Sequence, residues 1–248
     1  MLLTSVITHS LLYPPLALQK ENGQGKADVG RRGAITIDIA QFIRSNLSLV
    51  AVPSVPEVEV YKAGPTSGLS RLAETDAAFG NPYWAYHWGG GLALARHILD
   101  RPKIVAGKRV LDLGAGSGVV AIAAMKAGAK SVLAADVDPY AVAAVALNAE
   151  ANGVVVKTVQ RDLTEGAPPD ADIVLVGDLF YDEALAKRVT AFLGRCLAAE
   201  MDVLVGDPWR AFLPRARLDL LAEYPGCDFG SSMEGELASN GVFAFKAA

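Results

Sequence analysis

At 248 residues the chain is long enough for one large α/β domain with an N-terminal extension and too short for two full-sized domains. A net charge of −4 with no basic block beyond Arg31-Arg32 gives no electrostatic footprint for nucleic acid, and no apolar run approaches the ~20 residues that span a bilayer. Cys196 and Cys227 stand in no metal-ligand spacing and His9, His87 and His97 form no cluster, so the expectation is reduced core cysteines, no metal site and a cytoplasmic protein.

Residues 1–33 mix apolar residues with Gly, Pro, Lys and Gln and hold no periodicity, which reads as a poorly ordered tail. They show no basic n-region and no small-residue cleavage site, so no secretory signal is expected. Residues 34–78 read as a helix and hairpin extension. Ile39, Phe42, Ile43 and Leu47 recur at helical spacing behind Asp38 as cap, predicting a helix over 38–49 that Pro53 and Pro56 end. Glu57 to Tyr61 alternates as one strand of a hairpin, and Gly64 to Gly68 is a turn. The whole extension is expected to cover the ligand side of the core.

The main domain is expected over 79–248. It opens with Asn81-Pro-Tyr-Trp-Ala-Tyr-His-Trp-Gly-Gly-Gly, four aromatics in six residues ahead of a helix from Leu92 to Leu99. That stretch reads either as a lid over a flat ligand or as a hydrophobic plug between two helices. His87 reads as a hydrogen-bonded neighbour rather than a base. An apolar run from Val110 to Leu113 then ends in Gly114, Gly116 and Gly118, followed by an apolar helix from Val119 to Lys126. Strand, glycine turn and helix start form half of a βαβ unit in which the backbone can approach a ligand. Asp112 places a carboxylate at the strand end, which repels a dinucleotide phosphate and favours a cationic ligand.

A second strand, Ser131 to Ala135, ends at Asp136, the position that holds a ribose hydroxyl pair in nucleotide-binding α/β folds. Asp138 caps and Pro139 starts a helix to Ala151. A third strand, Val154 to Gln160, leads to Arg161-Asp162-Leu163, where Asp162 either accepts from an adenine amine or caps its own loop. The fourth, Asp172 to Val176, ends in Gly177-Asp178-Leu179-Phe180-Tyr181-Asp182, where a carboxylate and aromatics suit an aliphatic ammonium. Asp182 caps a helix whose buried stripe is Leu185, Val189, Phe192, Leu193 and Cys196. A fifth strand, Asp202 to Val205, meets the crevice at Gly206-Asp-Pro-Trp-Arg210. A helix around Arg215 to Glu223 and a closing strand pair, Cys227 to Met233 and Gly241 to Lys246, complete the expected order.

The run Asp112-x-Gly-x-Gly-x-Gly resembles motif I of the class I, seven-stranded S-adenosylmethionine-dependent methyltransferases. Asp136-Val-Asp-Pro, Gly177-Asp-Leu-Phe-Tyr-Asp-Glu and Gly206-Asp-Pro narrow that resemblance, over residues 79–246, to the lysine methyltransferases of methyltransferase family 16. The resemblance implies an α/β fold with a Rossmann-like seven-stranded sheet and an antiparallel last strand, to which residues 1–78, outside the match, add a small N-terminal extension. It implies S-adenosylmethionine as donor, S-adenosylhomocysteine as product, and ε-N-methylation of lysines on a folded protein, the β subunit of electron transfer flavoprotein; the chain is further expected to be a monomer with no nucleic-acid, membrane or metal partner. Cofactor binding is thereby carried to Trp88, Asp112, Gly114, Ala115, Gly116, Ser117, Gly118, Asp136, Val137, Asp162, Leu163 and Asp178. Acceptor binding is carried to Trp84, Phe180 and Tyr181. Catalysis falls to Asp178, which would hold and orient the amine, and to Tyr181 as a weak base. Two rival readings are a ribosomal protein L11-type lysine methyltransferase, which shares motif I, and a non-catalytic adapter that keeps the cofactor as a folding ligand.

Overall fold

Asp38 caps the first helix as expected, its carboxylate accepting from the Gln41 amide at 3.0 Å, and α1 runs Ile39–Asn46 in the computed structural model. The structure describes residues 38–76, 79–226 and 239–247. The helix is shorter than its apolar spacing predicts, because Leu47 is extended and Ser48–Val52 is already a strand, β1, antiparallel to β2 (Val55–Lys62). The β-branched Val50 and Val52 of this stretch outweigh the helical period that ran from Ile39 to Leu47. Pro56 lies inside β2, beyond the register shift at Ala51/Val52, where the strand pairing is irregular. A short α2 (Leu69–Thr75), not expected from the sequence, follows Gly68.

The main elements are α3 (Gly89–Asp100), β3 (Arg109–Leu113), α4 (Val119–Lys126), β4 (Ser131–Asp136), α5 (Pro139–Ala151), β5 (Lys157–Gln160), β6 (Ile173–Gly177), α6 (Glu183–Ala198), β7 (Asp202–Asp207), β8 (Leu218–Pro225) and β9 (Ser239–Phe245). Seven strands form one sheet in the order β5-β4-β3-β6-β7-β9-β8, the first five parallel and β9 antiparallel to both neighbours. This is the expected Rossmann-like sheet with its antiparallel end. Side chains alternate between two cores. Val110, Val132, Ile173 and Leu175 pack under α3, α4 and α5, while Leu111, Leu113, Val174 and Val176 pack under α6.

Val52, Val55, Val58 and Val60 are fully buried in the α3/α4 cluster, and the amides of Glu59 and Tyr61 donate to Asn152 and Asn148 of the α5 region. The hairpin is thus built onto the outer side of these helices, and none of its residues lines the cavity described below, contrary to the expected cover over the ligand side.

Two further expectations are corrected. Val154 closes the end of α5 by donating to the Ala149 carbonyl at 3.0 Å, so only Lys157–Gln160 of the third strand pairs. The helix expected around Arg215 to Glu223 is a 3₁₀ turn, Arg215–Arg217, followed by edge strand β8, because pairing with β9 overrides an ambiguous apolar pattern. The expected strand Cys227 to Met233 lies outside the described residues.

The three glycines before the expected helix at Leu92 form its first turn instead. A Cβ on Gly206 would sit 2.1 Å from the Gly90 carbonyl oxygen, and one on Gly90 would sit 2.3 Å from that of Gly206. Backbone-on-backbone contact therefore seats the start of α3 against the carboxyl ends of β6 and β7, beside the point where strand order reverses between β3 and β6. Gly206→Ala has no flexible neighbour to displace and is expected to cost at least about 2 kcal/mol. Gly166→Ala, which meets nothing within 4 Å, should stay within about 0.5 kcal/mol of wild type. Urea unfolding midpoints check the pair, and equal midpoints would contradict the close approach.

Candidate active site

β3 delivers Gly114, Gly116 and Gly118 to the crevice at φ of 70°, 52° and 81°, a left-handed path that side-chain-bearing residues resist. Asp136, at the end of β4, ties this turn down: one carboxylate oxygen accepts from the Gly116 amide at 2.9 Å and the other from the Asp138 amide at 3.0 Å. Asp138 in turn caps α5 through the Tyr140 amide at 2.8 Å. From the other side the Asn148 amide group donates to the Ser117 carbonyl at 2.7 Å and its oxygen accepts from Tyr61. Sequence reasoning missed Asn148, a buried polar residue in an otherwise apolar helix.

A cavity of about 900 Å³ opens here, its wall running from Gly114, Gly116, Asp136 and Val137 past Asp162 and Leu163 to Trp88, Asp178, Tyr181 and Arg210. Asp112 is not part of that wall. It is 1% exposed, accepts from the Ala121 amide at 3.0 Å, and burial pushes its carboxyl up to about 7. It holds the first turn of α4 from beneath the glycines rather than facing a cationic ligand as expected. Ala115 and Ser117, within the turn itself, are likewise buried. Asp162 uses one oxygen to accept from both the amide and the hydroxyl of Thr164, at 2.8 and 2.6 Å, so the loop-capping reading holds for that oxygen while the residue still borders the cavity.

At the other end, Asp178 is already engaged. Its carboxylate accepts from the Gly90 amide at 3.1 Å, the Gly91 amide at 2.5 Å and the Arg210 guanidinium at 3.0 Å, with φ at 59°. The expected acceptor-holding carboxylate is therefore the anchor of the α3 N-terminus, paired to an arginine the sequence reading quoted but gave no role. Tyr181 does face the cavity and is 47% exposed; partial desolvation by the surrounding wall, with Tyr83 and Asp136 nearby, raises its phenol above the ordinary value and disfavours it as a base.

One of the three expected acceptor residues is corrected. Phe180 is fully buried in the α6 core, since the chain turns one residue before Tyr181 reaches the crevice. Trp84 does line the cavity, but it is 1% exposed, stacks on Tyr140 with ring centroids 6.0 Å apart and has its backbone beside Gly116. Its neighbour Tyr83 shares the wall, 5.7 Å from the Tyr181 ring and 5.6 Å from the Trp88 ring. Trp88 donates its indole N–H to the Tyr83 carbonyl at 2.7 Å and lies 5.7 Å from the Arg210 guanidinium. The aromatic stretch is thus both plug and wall, divided residue by residue. His87 is pushed down to about 4 by burial, with Lys62 adding to the effect, so it stays neutral near pH 7.

A family model described as ribosomal protein L11 methyltransferase matches residues 93–179. The chain is 41% identical over 177 residues to the electron transfer flavoprotein beta subunit lysine methyltransferase of Danio rerio, covering 70% of this chain and 69% of that one. It is 37% identical over 211 residues to the same-named protein of Xenopus laevis, covering 83% and 86%. Among solved structures, a candidate RNA methyltransferase from Pyrococcus horikoshii superposes with a TM-score of 0.50 at 18% identity, over 72% of this chain and 95% of that one, a likeness of fold alone.

The Asp112 carboxyl binds its proton more tightly in the folded chain than in the unfolded one, so stability falls as pH rises from about 4 through about 7. Asp112→Asn keeps an acceptor for Ala121 and removes that titration. Urea unfolding of both proteins across this window should show wild type losing stability relative to the variant, by at most about 4 kcal/mol; parallel curves would contradict the buried carboxyl.

Proposed function

Because this chain belongs to the family of electron transfer flavoprotein β-subunit lysine methyltransferases, we propose that it transfers methyl groups from S-adenosylmethionine to lysine side chains of that β subunit, releasing S-adenosylhomocysteine. The observation that carries this reading is a single cavity joining the glycine turn and Asp136 to an aromatic end made by Tyr83, Trp88 and Tyr181.

The residues fit the donor. Gly114 and Gly116 let a ligand approach the backbone, Asp136 offers a carboxylate to ribose hydroxyls, and Asp162 with Leu163 borders the space an adenine would take. S-adenosylmethionine held there supplies a methyl already activated by its sulfonium. The chain's own residues then have two tasks, to align an amine and to exclude water. Tyr83, Trp88 and Tyr181 present ring faces and apolar edges that suit an aliphatic amine. A free lysine titrates near ~10.4 and must shed its proton before its lone pair can attack. Asp178, committed to Gly90, Gly91 and Arg210, does not hold the side chain in its charged form.

A second reading, methylation of ribosomal protein L11, is favoured by the family model over 93–179. The two separate in one assay: methyl transfer from labelled S-adenosylmethionine into purified electron transfer flavoprotein β subunit and into ribosomal protein L11, with wild type beside Asp136→Ala. The expected result is label on β-subunit lysines, reduced at least about tenfold in the variant through lost cofactor hydrogen bonds. Label in L11 would move the assignment to the second reading, and label in neither would refute both.

A further inference from the structure

Three elements converge behind the aromatic end of the cavity, and each brings one charged or dipolar group. The start of α3 brings the Gly90 and Gly91 amides, the loop after β6 brings Asp178, and the loop after β7 brings Arg210. Arg210 is itself held from behind. Its backbone N–H donates to Asp207 at 2.6 Å, its Nε lies 3.9 Å from the same carboxylate, and its guanidinium lies against the Trp88 ring. Asp207 is fully buried, whereas the Arg210 side chain is 20% exposed and that of Asp178 is 11% exposed. Both therefore reach the cavity wall, and neither is a surface pair whose charge water would screen away.

We infer that Arg210 is a positioning residue for methyl transfer: by masking the Asp178 carboxylate at the acceptor end, it allows the incoming lysine to lie there as the neutral amine. The inference rests on the lysine-methyltransferase reading above. A lone carboxylate beside a lysine would favour the ammonium, whose nitrogen has no lone pair to give. With the guanidinium paired to it, that preference is offset, and the proton leaves to solvent as the side chain enters. The other charged and titratable groups along this part of the wall are the Tyr83 and Tyr181 phenols, Asp136, Asp182 at the start of α6, Arg188 on it and Asp162 beside Arg188, with Asp207 buried behind. Taking the Arg210 cation away shifts the local balance towards negative charge whatever those groups contribute, so the direction of the effect is defined.

The test is the pH profile of single-turnover methyl transfer to the electron transfer flavoprotein β subunit by wild type, Arg210→Gln, Arg210→Lys and the double variant Arg210→Gln/Asp178→Asn. Cofactor affinity and thermal midpoint are measured beside each. In Arg210→Gln the rising limb is expected to move up by about one pH unit, with the rate near neutrality down about tenfold and recovering in alkali. Arg210→Lys keeps the charge and should keep the limb. The double variant, which removes both charges, should bring it back towards wild type. A limb that stays in place in Arg210→Gln while the rate drops equally at every pH, or a double variant shifted as far as the single one, would overturn the inference. Failure of wild type to label any lysine would instead refute the reading on which it rests.

Discussion

The site depends on one carboxylate. Asp178, at the end of β6, accepts from two amides at the start of α3 and pairs with Arg210 from the loop after β7, joining three segments at the mouth of the sheet. Negative charge at a helix N-terminus is favoured by the orphan amides and the helix dipole, and charge-assisted hydrogen bonds in a poorly hydrated place are stronger than neutral ones. The Gly90–Gly206 contact makes the arrangement possible, because any side chain at either position would push α3 off the strand ends. Sterics bring the helix in, and electrostatics fasten it.

A second pair of carboxylates divides labour at the other end of the cavity. Asp112 and Asp136 lie on adjacent parallel strands and both bear on the glycine turn. Asp112 is buried beneath it and fastens α4, while Asp136 holds Gly116 and keeps a face on the cavity. Solvent access separates an acid buried beneath the turn from one that faces the cavity, and both fasten the turn through backbone amides.

Much of this was legible in the sequence wherever local chemistry and fold agreed. The helices Val119–Lys126 and Pro139–Ala151 match their predicted limits, and Asp38, Asp138 and Asp182 cap as expected, because capping and glycine turns act over a few residues. What was hidden depended on partners far along the chain. The pairing of Asp178 with Arg210 spans 32 residues, and β8 became a strand only through β9. Between Tyr83 and Trp84, or Phe180 and Tyr181, composition offers no choice. The course of the backbone decides which ring lies open on the cavity wall and which is buried, as Trp84 is against Tyr140 and Phe180 is beneath α6.

The claim at the centre of this account is that Asp178 anchors the start of α3 before any ligand arrives. Amide hydrogen exchange at Gly90 and Gly91, compared between ligand-free wild type and Asp178→Ala, addresses it most directly. The account predicts that both amides are protected in wild type and lose protection in the variant, while amides in the middle of α4 exchange as slowly as before. Equal protection of Gly90 and Gly91 in the two proteins would show that α3 is held by something else and would contradict the account.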